Sequence, residues 1–161
     1  MIKPKPHNQS FGYNAVHIVF VTKYRHEVIN KEIESRLIEM FSRLCSTQDS
    51  ELLECKADLG KLDHIHLLVD LAPRLSLGKL CNILKTISSR EIRKEFATEL
   101  KPYYCGQTPR RRQAQGNADQ ERKPKFGKQG YGYTTCGSSL CAGGAAIDVL
   151  VRYIENQGYD D

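Results

Sequence analysis

Hydrophobic and polar positions change period several times along this chain, and each change marks an element. Residues 14–22, NAVHIVFVT, are short and rich in β-branched side chains, which predicts a buried strand ending at the basic turn Lys23-Tyr24-Arg25-His26. From Lys31 to Cys45, the spacing of Ile33, Leu37, Met40, Phe41 and Leu44 by threes and fours predicts an amphipathic helix. Residues 51–57 and Lys61 to Leu71 read as two further strands forming a hairpin, with Gly60 between them as the turn. Beyond Pro73, Ser76 is suited to cap a second helix. Its buried side would be Leu77, Leu80, Leu84, Ile87, Ile92 and Phe96, with Lys79, Lys85, Arg90, Arg93 and Lys94 elsewhere, and it is expected to end before Pro102.

Residues 105–130 combine Gly, Gln, Pro, Arg and Lys with Phe126 as the one large apolar residue. Such a segment buries too little surface to offset its ordering entropy, so a flexible insertion is expected. Tyr131 to Cys136 is a candidate fourth strand, and a small-residue run, Gly137 to Ala146, precedes a last helix from about Ala145 to Gln157, with Gly158 as its stop. The order β-α-β-β-α-β plus a helix predicts an α+β fold of the split βαβ type. A four-stranded antiparallel sheet would carry two helices on one face and leave the other open for a ligand.

Composition narrows this picture. A length of 161 residues, 40% hydrophobic, fits one domain with its own core. No run approaches the length of a membrane span, and MIKPKPHNQS lacks the apolar centre of a signal peptide, so a cytoplasmic protein is expected. The six cysteines form no CxxC pair and read as reduced thiols. The net charge is +5, and residues 105–130 account for it, with seven basic residues against Asp119 and Glu121. A nucleic-acid partner is therefore permitted but not required.

Two places carry candidate chemistry. In Asp63-His64-Ile65-His66-Leu67-Leu68, strand alternation puts His64, His66 and Leu68 on one face and Ile65 and Leu67 on the other. Two imidazoles on one face can share a metal ion. Read alone, though, such a pair is more often solvent-facing or hydrogen-bonded histidine. In the last helix, Ile147, Leu150, Val151 and Ile154 form the apolar stripe, while Tyr153 and Gln157 lie one turn apart on another face. A lone tyrosine there is ordinarily an amphipathic residue at the edge of a core. A site of two imidazoles and the Gln157 amide is neutral, leaving the full charge of the ion to act on a phosphate. That suits Mg²⁺ or Mn²⁺ better than Zn²⁺.

Taken together, these residues resemble the single-tyrosine HUH transposases, the small enzymes of compact bacterial insertion sequences and of their relatives associated with repetitive extragenic palindromes. The resemblance covers most of the chain: His17, the turn Thr22-Lys23-Tyr24-Arg25, the HUH motif at Asp63 to Leu68, and Arg152-Tyr153-Ile154-Glu155-Asn156-Gln157. It implies a ferredoxin-like fold and a divalent ion held by His64, His66 and Gln157. Tyr153 would attack single-stranded DNA to leave a 5′-phosphotyrosine link at hairpin-containing ends. It also implies a homodimer, in which the tyrosine helix can pack on the partner's HUH motif, with Gly137 to Ala146 as the hinge. The chain departs from the family in its long basic insertion, in having no tryptophan, and in carrying Leu62 where proline is common.

For DNA contact the candidates are Lys23 and Arg25 beside the sheet and Lys85 and Arg90 on the second helix, acting through phosphates. Each is equally readable as an ordinary solvated charge. Two rival functions share the fold: a non-catalytic single-stranded nucleic-acid binder, and a domesticated nuclease acting on palindromic repeats.

Overall fold

The computed structural model describes residues 5–7, 10–12, 14–58, 60–104, 126–127, 130–135 and 147–156. A short antiparallel pair, β1 (Lys5–His7) and β2 (Ser10–Gly12), precedes the main sheet. Three-residue strands are too short for a period-2 pattern, which is why the sequence did not announce them. The main sheet comprises β3 (Ala15–Val21), β4 (Glu51–Ala57), β5 (His64–Asp70) and β6 (Gly132–Thr135), in the order β4-β5-β3-β6 with every neighbour antiparallel. This is the predicted split βαβ arrangement.

Helix α1 (Lys31–Ser46) begins where the Asn30 side chain accepts a hydrogen bond from the Ile33 N–H at 2.9 Å, and Glu32 and Glu34 suit its positive end. Helix α2 (Leu77–Glu95) begins at Ser76, which accepts from the Lys79 N–H. Its last turn breaks at Phe96, and the chain resumes as α3 (Ala97–Tyr104) instead of ending before Pro102. Pro102 lies inside α3 on an exposed stretch. The carbonyl of Thr98, which loses its helical partner to the proline, can be solvated there. Leu100, 4% exposed, anchors α3 to the core.

The helices cover one face of the sheet. Val16, Ile18 and Phe20 of β3 pair across with Val69, Leu67 and Ile65 of β5, and all six join Ile33, Leu37, Met40, Phe41, Leu80 and Leu84 in one core. On β4 a bulge between Leu52 and Glu54 lets Leu52 and Cys55, three residues apart, both face that core. Phe126 belongs to it as well. It is 6% exposed, its carbonyl accepts from the Lys23 N–H at 2.8 Å, and Gly127 bridges to Thr22. Within the segment expected to be flexible, these two residues are thus tied to the end of β3, where one aromatic ring fills an apolar gap. Residues 105–125 lie outside the described residues.

The opposite face is not left fully open. Helix α4 (Ile147–Glu155) lies over β4 and β5, where Ile154 and Val151 pack with Ala15, Leu53 and Leu68. An amphipathic helix needs an apolar surface, and Leu68 supplies one two residues beyond His66 on the same face. The predicted hinge at 137–146 and the stop at Gly158 lie outside the described residues. Among the described residues no helix is long and apolar enough to cross a membrane.

Candidate functional site

Strand alternation on β5 and β3 brings three histidines onto the α4 face. His66 stands opposite Val19 and His64 opposite Val21, while His17 is the diagonal neighbour of His66. The His17 and His66 rings stack at 5.2 Å, with His17 Nε2 3.0 Å from His66 Nδ1. Burial lowers the pKa of His17. Burial, reinforced by charge on His17 and His64, pushes that of His66 down to about 4, so His66 is neutral at physiological pH. A neutral imidazole is the form that ligates a metal.

His64 sits between two carboxylates. Its Nδ1 lies 2.5 Å from Asp63 Oδ1 and its Nε2 3.0 Å from Asp58 Oδ2. The second oxygen of Asp63 takes Arg25 Nε at 2.7 Å, and Asp58 Oδ1 accepts from the Gly60 N–H at 2.7 Å. Burial would raise the Asp63 pKa, but hydrogen bonds from His64 and Arg25 and their charges outweigh it and hold the carboxyl below its usual range. Asp58 and Asp63 are the site residues that sequence reasoning did not assign. Asp63 adjoins His64 in the motif, whereas Asp58 reaches it only because the hairpin folds back.

The two expected metal ligands fit a shared ion in part. Two imidazoles bound to one ion at about 2.1 Å, with an angle between right-angled and tetrahedral, put their ring centres roughly 4.6–5.3 Å apart. The rings of His64 and His66 are 5.1 Å apart and inclined at 63°. Gln157, the expected third ligand, lies outside the described residues, and among the described residues no cluster of three or more His, Cys, Asp or Glu could hold a metal by itself. The backbone of Tyr153 lies in α4. The end of that helix is pinned to β4, where Lys56 Nζ donates to the Glu155 carbonyl at 2.5 Å, and Lys56 is the direct cross-strand partner of His66.

The candidate DNA contacts divide into two pairs. Lys23 and Arg25 lie in a turn at the end of β3, where Tyr24 and Arg25 adopt left-handed φ of 63° and 57° and Lys23 Nζ sits 4.6 Å from the Tyr24 ring centre. This turn adjoins the histidine site through Asp63. Lys85 and Arg90 are on α2, across the sheet from the histidines. Arg90 is exposed, whereas Lys85 is partly buried, with Nζ donating to the Gly130 carbonyl at 2.9 Å beside the Phe20 and Tyr131 rings. Desolvation lowers its pKa.

Leu62, in the turn before the motif, has φ 50°, and its N–H donates to the Asp58 carbonyl at 2.9 Å. Proline could supply neither feature. The turn as built therefore excludes proline at this position.

Comparison with known proteins bears on family and fold. Residues 11–109 match the family described as "Transposase IS200 like". The chain is 30% identical over 80 residues to the transposases for insertion sequence element IS200 of Salmonella typhimurium and Salmonella typhi, a match covering 50% of this chain and 51% of each of those proteins. It thus spans about half the length of these relatives. A crystal structure of a candidate transposase from Deinococcus radiodurans R1 superposes with a TM-score of 0.59 at 21% identity over 98% of both chains, which shows a shared fold. On the match across residues 11–109, this chain belongs to the IS200-like transposase family.

Proposed function

We propose that this chain is a metal-dependent transposase that cleaves and rejoins single-stranded DNA at hairpin-containing ends, with Tyr153 as nucleophile and His64, His66 and Gln157 as ligands of one Mg²⁺ or Mn²⁺ ion. One observation carries the reading. The helix bearing Tyr153 lies on the histidine face of the sheet, and its last turn is held by Lys56, the cross-strand neighbour of His66. Gln157 follows that turn by two residues.

In this reaction the Tyr153 phenolate oxygen attacks phosphorus, the bond to the 3′-oxygen breaks, and the 3′-oxygen takes up a proton as a free hydroxyl. One phosphoester replaces another, so a 3′-hydroxyl can later reverse the step without a nucleotide triphosphate. A bound divalent ion would orient the phosphate and stabilise the negative charge that builds up on it. The chain's own residues do the rest. Lys23 and Arg25 would guide the DNA backbone toward the site, and packing of Ile154 on Leu68 fixes the helix that carries the nucleophile. Lys85 and Arg90 would serve a strand that passes around the edge of the sheet to α2. With one nucleophile per chain, two DNA ends call for two chains, so a homodimer belongs to the proposal, with α4 placed in cis or exchanged.

The test is incubation with single-stranded DNA carrying the hairpins that flank the gene, with Mn²⁺ or EDTA, followed by a denaturing gel. A covalent adduct is expected with Mn²⁺ only, and none with Tyr153→Phe or His66→Ala. An adduct that survives Tyr153→Phe, or forms equally in EDTA, refutes the mechanism. Tight hairpin binding without any adduct would favour the non-catalytic binder.

A further inference from the structure

Asp63 does more than precede the first histidine of the motif. Its side chain is 3% exposed, yet both carboxylate oxygens are used, one on His64 Nδ1 at 2.5 Å and one on Arg25 Nε at 2.7 Å. Its backbone carbonyl accepts from the Thr22 N–H at 2.8 Å, which ties the same residue to the start of the basic turn. That turn holds Tyr24 and Arg25 in successive left-handed conformations, a geometry that side chains with a Cβ rarely adopt unless surrounding contacts impose it. Arg25 meets Asp63 through Nε, while its side chain is 62% exposed, so the outer guanidinium nitrogens remain accessible from solvent.

We propose that Asp63 is a positioning residue for His64 and that Arg25 couples it to DNA: Asp63 holds the Nδ1 side of the imidazole so that Nε2 faces the ion, and a phosphate on the outer edge of Arg25 fixes Asp63 in that pose. This rests on the reading of His64 as a metal ligand. A carboxylate behind a ligating histidine fixes ring orientation and tautomer and raises ligand basicity, and loss of such a partner typically weakens metal binding about 10–100-fold. Both carboxylates on His64 have a partner on each oxygen, but Asp63 is the buried one and its second partner is the charged Arg25, whereas that of Asp58 is the Gly60 N–H. Asp58 is more exposed and stands on the metal-facing nitrogen, so it is the partner that yields when an ion binds.

The experiment uses the full chain and two readouts. Mn²⁺ affinity, measured by titration with and without hairpin DNA, should fall about 10–100-fold in Asp63→Asn. In Arg25→Ala, at DNA concentrations that saturate the variant, the tightening of Mn²⁺ by DNA should shrink to what direct contact between ion and phosphate supplies, and Arg25→Lys should restore it in part. Independently of any metal, the imidazole N–H of His64 should give a downfield, slowly exchanging proton resonance in the parent that is lost in Asp63→Asn. Asp63→Asn binding Mn²⁺ within twofold of the parent, with an unchanged far-UV spectrum, would overturn the positioning role. If Asp63→Asn does not fold, Arg25→Ala decides, and unchanged coupling between DNA and Mn²⁺ in that variant overturns the proposal. If the parent binds no Mn²⁺ at all, the metal reading of His64 fails, and the His64 resonance alone decides whether Asp63 holds the ring.

Discussion

Replacing Phe126 by alanine separates two accounts of the basic segment, since a side chain in a flexible insertion would cost nothing to remove. In the structure the ring is 6% exposed and packs against the end of β3 and the helices. It also lines a cavity of about 30 Å³ together with Phe20, Ile29, Leu37, Phe41 and Ile65. Truncation of a buried Phe costs about 3–5 kcal/mol, from lost transfer energy plus the void left behind. The void here enlarges an existing one, which favours the full penalty. The ring sits beside the end of β3, at one margin of the core, so local relaxation can relieve part of it. The expected loss is therefore about 3 kcal/mol, or roughly 6–12 °C in melting temperature for a chain of this size. Urea unfolding followed by circular dichroism measures it, with an unchanged m-value and with Phe126→Leu losing under about 1.5 kcal/mol as the control. A midpoint for Phe126→Ala within about 0.5 kcal/mol of the parent would refute the packing and restore the flexible reading.

Leu62→Pro should cost on the order of 2–3 kcal/mol in the same assay, because proline cannot adopt φ 50° and removes the N–H that bonds to Asp58; Leu62→Gly, which accepts that φ freely, should change stability by under about 1 kcal/mol. Cys45, Cys55 and Cys81 are buried, and desolvation pushes Cys45 up to about 12, Cys81 up to about 11 and Cys55 well above its ordinary value. They should resist iodoacetamide at pH 8 until urea unfolds the chain, and equal labelling of native and unfolded protein, mapped by mass spectrometry, would contradict this. The same shifts set a pH dependence. Above about pH 9 the unfolded thiols ionise while the folded ones stay protonated, so unfolding releases protons and stability falls between about pH 9 and 11. A rise in the urea midpoint over that window would overturn the assignment.

The sequence by itself determined the elements and the faces. Val16, Ile18 and Phe20 alternate with His17 and Val19, and the three-four spacing from Ile33 to Leu44 recurs in the buried side of α1. Period and capping residues are local properties, so they survive being read without a fold. The same alternation put His64 and His66 on one side of β5, and the spacing of Val151 and Ile154 put an apolar stripe on the helix that carries Tyr153.

Tertiary structure decided what those faces meet. Pro102 sits inside a helix because its stretch is solvated, and Phe126 is buried because β3 leaves a gap that no local pattern reveals. Lys85, read as a candidate phosphate contact or else a solvated charge, is tied to Gly130 across 45 residues, and His17 reaches His66 across 49. Asp58 comes to His64 only through the hairpin, and Arg25 comes to Asp63 only because a left-handed turn after β3 swings it back toward the start of the neighbouring β5. Residue type and spacing fix which side chains can ligate or attack. Which carboxylate stands behind which imidazole depends on contacts between distant segments, and those exist only once the chain has closed its core.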